Sequence, residues 1–316
     1  MKLDTYQATT TSLFVEHLTV IDFSYLCPER GLLGESWIVD IELLGQLNQH
    51  GMIFDFGHVK KQIKQTIDKL FDHRLLVPTQ SPSFTTLEPS KHLETVPPEA
   101  ENAHFKFVFY PPSQDLAHTI LHKGPNQATC MLPIPSVSID HVRPFIVEQI
   151  KGVLPENVLD IKLNLRTQGH SQPFFQYSHG LQSHDGDCQR IAHGHRSRLE
   201  IYIDQERHLA SELEWCDQWK AVYIATRSHI QHQFFEAGVH YTQLSYLAQQ
   251  GFFELTLPSH CIHIVESETT IEQIANHIAQ HFAQRYPNRD ILVKAYEGVD
   301  KGAIAHIAAP TQKQTQ

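Results

Sequence analysis

The chain has no run of about 18 apolar residues, the length a membrane-crossing helix needs, so no span is expected. Its start, Met1-Lys2-Leu3-Asp4-Thr5, lacks the basic stretch and apolar core of a secretory signal, which makes the cytoplasm the expected location. Cysteine is scarce. The five present, Cys27, Cys130, Cys188, Cys216 and Cys261, form no CxxC pair, which argues against a disulfide framework. Positive charge is also in deficit: 25 Lys plus Arg stand against 35 Asp plus Glu, a formal net charge of −10. Such a surface does not attract nucleic acid or anionic lipid as a whole, so neither nucleic acid nor membrane is an expected partner and a small molecule is.

What is abundant is histidine, with 23 residues in a chain of 316. Imidazole is the commonest metal ligand and titrates near neutrality, yet a scattered histidine is usually a surface or core residue, and only spacing promotes one to a ligand. The length exceeds one typical domain and implies two. Hydrophobic residues at 41% and charged residues at 19% give ordinary globular composition.

Hydrophobic periodicity divides the chain into two similar series of elements. Leu13 to Tyr25 and Ser36 to Leu47 alternate as two antiparallel strands; Val59, Ile63, Ile67 and Leu70 then mark an amphipathic helix opening at Asp55. Twelve of 17 prolines fall between Pro78 and Pro155, and the stretch of about 78–103 reads as a long insertion. A strand at His104 to Phe109, a helix from Ile139 to Ile150 and a strand at Val158 to Leu165 follow. In the second half, Phe174 to Ser178, Arg198 to Ile203 and Trp219 to Thr226 read as strands. Ile271, Ile274, Ala275, Ile278, Ala279 and Phe282 define a helix before a last strand at Ile291 to Tyr296. The expected organisation is therefore a first module at 1–167, a second at 168–307 and a disordered tail at 308–316.

The strongest chemical signal is His179 followed by Cys188-Gln-Arg-Ile-Ala-His193-Gly194-His195. Two histidines one residue apart on a strand point to one face and can reach one metal ion. With His179 from across a hairpin, three imidazoles leave a fourth position open, as catalytic zinc sites require. Cys188 has three readings that spacing does not separate: fourth ligand, buried hydrophobe, or a thiolate base beside a cation. Asp72-His73 reads either as an acid/base pair, with the carboxylate orienting the imidazole, or as a helix-terminal cluster. Glu297, at the end of the final strand, could accept two N–H donors from a heterocycle.

Taken together these residues resemble the family of 6-pyruvoyl-tetrahydropterin synthase and the bacterial 6-carboxytetrahydropterin synthases, which share the tunnelling fold. The matching elements are Phe175-Gln-Tyr-Ser-His179, Cys-x-x-x-x-His-Gly-His at Cys188 to His195, and Gly51-Met52-Ile53-Phe54-Asp55-Phe56 with Lys60. Asp72-His73, Thr270-Ile271-Glu272, and Glu297 with Gly302 complete the set. The resemblance implies an α+β fold of two tandem tunnelling-fold modules, each an antiparallel sheet with helices on one face. It implies Zn2+ on His179, His193 and His195, Cys188 as catalytic base with Asp72 and His73, and Glu297, Thr270 and Glu272 at the pterin. It also implies 7,8-dihydroneopterin triphosphate as substrate, a 6-carboxy or 6-pyruvoyl tetrahydropterin product, and a homo-oligomer; a degenerate pterin- or metal-binding module is the non-catalytic alternative.

The departures matter. Gly34-Glu35-Ser36-Trp37 stands where the first module would carry His-Gly-His, and no Asp-Phe or Asp-His occurs between Ile203 and Leu257. Each half lacks what the other has, so one composite site, within a chain or between chains, is the expectation. Arg190, Arg196, Lys60, Lys61 and Lys301 are candidates to meet the triphosphate.

Overall fold

The computed structural model describes residues 10–86, 104–110, 119–169 and 172–310. Most of the expected insertion, the linker at 170–171 and the tail beyond residue 310 lie outside the described residues.

Two sheets repeat one plan. In the first, β1 (Thr10–Cys27) and β2 (Gly31–Gln46) form a long antiparallel hairpin. Helix α1 (Phe56–Phe71) follows it and crosses back to β3 (Leu75–Pro78), parallel to β1. Three inserted strands come next: β4 (Phe84–Thr86), β5 (His104–Phe109) and β6 (Ile120–Pro125). The chain then returns through β7 (Thr129–Leu132), helix α2 (Ile139–Lys151) and β8 (Val158–Arg166), giving the order β7-β3-β1-β2-β8.

The second series begins with β9 (Phe174–His179), β10 (His193–Ile203), the short β11 (Glu206–Arg207), α3 (Leu209–Gln218) and β12 (Val222–Thr226). It inserts β13 (Ile230–Glu236), β14 (Val239–Ala248) and β15 (Gly251–Pro258). It ends with β16 (Ile262–Val265), α4 (Ile271–Arg285), β17 (Ile291–Tyr296) and β18 (Gly302–Ile307). Its sheet order is β16-β12-β9-β10-β17-β18, with β11 paired to β10.

The expected tandem α+β architecture is what the chain adopts, with one refinement. Each sheet has an antiparallel core, but β3, β7, β12 and β16 join it parallel, because a helix or an inserted meander separates each from its neighbour and lets the chain cross over. Helix α3 and the β13–β15 meander were not legible as such. Trp219, read as the start of a strand, caps α3 instead.

The helices follow from their sequences. Asp55, Ser138 and Thr270 cap α1, α2 and α4 by accepting the N–H groups of His58, His141 and Gln273, each cap contributing about 1 kcal/mol. Val59, Ile63 and Ile67 bury one face of α1 against the first sheet; Ile274, Ile278 and Phe282 do the same for α4 on the second. The two inserted meanders join edge to edge through β6 and β15 into a third sheet, ordered β13-β14-β15-β6-β5-β4. Its core, including Phe107, Phe253 and Leu255, packs on Leu26, Leu75, Ile191 and Tyr223 from both halves, which ties the repeats together. No helix among the described residues is long and apolar enough to cross a membrane.

Candidate functional site

The hairpin register of β9 and β10 sets His193 opposite His179 and His195 opposite Tyr177. All three histidines point to one face, are essentially buried, and bring one ring nitrogen each within 4.8 Å of the others. Backbone carbonyls fix two tautomers. His179 Nδ1 donates to the Thr269 carbonyl at 3.0 Å and His193 Nδ1 to the Arg190 carbonyl at 2.9 Å. A carbonyl only accepts, so each Nδ1 carries the proton and each Nε2 keeps its lone pair.

Nε2 of both His179 and His195 is buried with no protein partner. Such orphans are costly unless a ligand completes them. Burial, reinforced by the neighbouring imidazoles, holds His179 and His193 well below the usual histidine range, in the neutral form a metal requires. The donor set therefore fits a metal ion on His179, His193 and His195, with Asp22 Oδ1 at 3.3 Å from His195 Nδ1 as an outer carboxylate.

Asp22 is the residue that sequence reasoning missed. It is buried on β1 of the first half, accepts the Ser36 hydroxyl at 2.5 Å, and meets Lys301 Nζ at 3.1 Å. Burial would raise its carboxyl, but His195, Lys301 and Ser36 outweigh that and hold it far below the usual carboxylate range. The signal was a single carboxylate inside the apolar run Val20-Ile21-Asp22-Phe23.

Asp72 and His73 follow α1 and reach the same place from the first half. Asp72 Oδ2 lies 2.7 Å from His73 Nδ1, while its Oδ1 accepts the Asp22 N–H at 2.8 Å. His73 adopts φ of +53° and donates its N–H to the Asp22 carbonyl at 2.7 Å, which turns its ring inward. A ligand nitrogen of His73, the Cys188 thiol and a nitrogen of His193 lie within 4.8 Å of one another. Burial would lower the His73 imidazole, yet its bonds to Asp72 and Cys188 hold it well above the usual range. The structure therefore brings Asp72, His73, Cys188 and the three histidines into one centre within a single chain.

Arg190 was a candidate for the triphosphate. It is buried instead, its Nη1 3.3 Å from both the Asp72 and His73 carbonyls, its Nη2 2.6 Å from Asp187 and its Nε 3.1 Å from Gln250. It clamps the Asp72–His73 turn of one half to the Cys188 turn of the other. Arg196 stacks at 3.5 Å over the Phe174 ring, and Lys60 and Lys61 lie exposed on α1.

Glu297 follows β17, its Oε2 3.8 Å from Lys301 Nζ. Gly298 then turns at φ +69°, and a side chain there would strike Asp22. Thr270 serves as the α4 cap beside Thr269, and Glu272 is exposed in the first turn; neither is drawn into the histidine group.

Register equivalence shows what each half carries at the positions of the other's site residues. Ser24 pairs with Gly34 and Ser178 with Gly194, so Tyr25, Leu33 and Glu35 occupy the positions of His179, His193 and His195. The segment matching His-Gly-His is thus Leu33-Gly34-Glu35, one residue earlier than the sequence pattern suggested. Likewise Ser24 pairs with Leu75 and Ser178 with Tyr223, which aligns Lys220-Ala221 with Asp72-His73. Burial pushes the Glu35 carboxyl up to about 7 despite the Ser36 N–H and two arginines.

A model of the 6-pyruvoyl tetrahydropterin synthase family matches residues 24–129 and 170–306. A putative 6-carboxy-5,6,7,8-tetrahydropterin synthase of Pyrococcus abyssi is 25% identical over 151 residues, 47% of this chain and 75% of that protein. Its namesake in Pyrococcus horikoshii is 34% identical over 61 residues, 19% of this chain and 34% of that protein. Among solved structures, 6-pyruvoyl tetrahydropterin synthase from Plasmodium vivax is similar at 17% identity and a TM-score of 0.38, covering 52% of this chain and 94% of that one. The Plasmodium falciparum enzyme gives 14% and 0.38, covering 50% and 91%. With both halves matched, the chain belongs to the 6-pyruvoyl tetrahydropterin synthase family.

Proposed function

We propose that the chain is a zinc-dependent lyase of the 6-carboxytetrahydropterin synthase type. Its substrate is 7,8-dihydroneopterin triphosphate, its product 6-carboxytetrahydropterin, formed with loss of triphosphate towards queuosine-type deazapurines. The observation that carries this reading is the meeting of Asp72 and His73 from one half with Cys188 and three buried histidines from the other. The names of the Pyrococcus relatives support it. Residues 1–167 and 168–307 are the two modules in this reading, and each chain builds one site, with homo-oligomers as the working assembly in the cytoplasm.

His179, His193 and His195 would hold the zinc ion, which would supply Lewis-acid polarisation of the substrate's side-chain oxygens. Cys188 is the base that removes a proton from the substrate's side-chain carbon. His73, kept in orientation by Asp72, carries the proton onward. Glu297 accepts ring N–H donors and fixes the pterin, and Thr270 and Glu272 are the further substrate-binding residues of this reading. Lys301, already between Asp22 and Glu297, is the cation that meets the triphosphate in this reading.

The second reading, a 6-pyruvoyl product, is favoured by the family description. The two differ in carbon count, because a carboxyl product must shed two of the three side-chain carbons and a pyruvoyl product keeps all. Mass spectrometry of zinc-loaded protein with 7,8-dihydroneopterin triphosphate tests both. A carboxy product is expected; a pyruvoyl product selects the second reading, and pterin binding without turnover overturns both in favour of a non-catalytic module.

A further inference from the structure

A second histidine cluster lies on the helix side of the second sheet and takes no part in the centre described above. His263 comes from β16, and His277 and His281 from successive turns of α4. The Nε2 atoms of His263 and His277 are 2.8 Å apart. All three rings gather around Trp215, with centroid separations of 6.5, 6.2 and 5.0 Å, and Trp219 lies 5.0 Å from His263.

We propose that His263 and His277 form a second metal site for a divalent ion that favours imidazole, such as Ni2+ or Cu2+. Two imidazole nitrogens bound at about 2.0 Å are roughly 2.8 Å apart when they occupy adjacent corners of a square, and roughly 3.3 Å apart in a tetrahedron. The observed 2.8 Å is that of an N–H···N hydrogen bond, and a metal ion held by both rings would displace the bridging proton and turn the two nitrogens towards a common point. Histidines at i and i+4 share one helix face, so His281 stands at the exposed rim of the same site. Among the described residues it is not within ligand distance of the other two, so the site offers two imidazoles, with its other positions open to water. His263 and His277 are themselves only half-buried, which leaves an entry path. The competing arrangement is a lone N–H···N bond between the two rings, which would bind nothing.

The neighbouring indoles provide the readout, since two of the chain's three tryptophans border the site. Zinc-loaded full-length protein is titrated with Ni2+ while tryptophan emission is followed. Saturable quenching is expected. It should persist in His193→Ala, which removes the first centre, and weaken by about tenfold or more in His263→Gln and His277→Gln. The zinc content of the two glutamine variants should stay unchanged. Equal quenching in wild type and His277→Gln, or its loss in His193→Ala, overturns the site. Should the glutamine variants fail to fold, electron paramagnetic resonance of Cu2+ added to the zinc-loaded wild type decides. A signal with coordinated nitrogen that grows in step with the quenching of tryptophan emission supports the site, and nitrogen coordination without that quenching overturns it.

Discussion

The Ser24 hydroxyl donates to the Ser178 hydroxyl at 2.7 Å in the buried seam between the two halves. The two serines are equivalent positions, one opposite Gly34 and the other opposite Gly194, so the bond joins matching points of the two repeats. The glycines make that approach possible. A side chain on Gly194 would run into the Tyr177 carbonyl, Gly34 and Ser24, and one on Gly34 into Tyr177 and His195.

Gly194→Ala should therefore cost stability near the upper part of the 1–3 kcal/mol range for overpacking, ~3 kcal/mol, because its neighbours are mainly backbone. It should also lower metal content, since His193 and His195 flank the strained residue. Thermal unfolding and metal analysis check this; an unshifted melting temperature would show that the sheets can separate freely.

Asp72→Asn keeps the shape of the pair with His73 but removes its charge. Turnover should fall by about 100-fold or more, the range for losing an oriented acid or base, while bound metal stays at the wild-type level. Unchanged turnover would remove Asp72 from the chemistry, and with it the case for a site shared between the halves.

How much of this was legible differs by residue. His179, Cys188, His193 and His195 were readable because a strand's two-residue period and a short hairpin make their contact local in sequence. Glu297 and Asp72-His73 were readable as elements, and the family resemblance implied one composite site; the Arg190 clamp was not readable, since it joins residues 118 and 117 positions apart. Asp22 was missed for the same reason: its partners His195 and Lys301 are distant in the chain, and a lone carboxylate in an apolar strand run is a weak local mark. The third sheet eluded periodicity because its six strands belong to two separated insertions, paired only through β6 and β15.

Arg190→Lys tests the clamp. Lysine keeps the charge but loses the planar fork that reaches two carbonyls, Asp187 and Gln250 together. The expected loss in kcat is about tenfold or more, with a displaced pH profile because His73 is no longer held, and with KM and metal content little changed. A drop in stability with an unaltered pH profile would reduce Arg190 to a structural role.

Asp22→Asn leaves a hydrogen-bonding side chain of the same size beside His195 but withdraws the carboxylate. Outer carboxylates of this kind change metal affinity by about 10- to 100-fold, and a weakening of that order is expected. Competition with a chromogenic chelator measures it. Affinity equal to wild type would mean that Asp22 serves Lys301 and the seam alone.

His122 gives a pH prediction away from the site. It lies on β6, is buried, stacks on Phe107 at 5.2 Å, and neither ring nitrogen has a hydrogen-bond partner. Burial pushes its imidazole down to about 3. In the unfolded chain the ring titrates near the ordinary value of about 6.5, so below that pH the unfolded state binds the extra proton and the folded state does not. Stability is therefore fully present above pH ~6.5 and declines as pH falls towards the folded value, by up to about 1.4 kcal/mol per unit for this one group. His122→Phe, which keeps an aromatic ring against Phe107, should flatten that slope between pH ~6 and ~4 in urea unfolding. An identical slope in the variant would place the acid sensitivity elsewhere and show that the His122 ring finds water or a partner when the fold breathes.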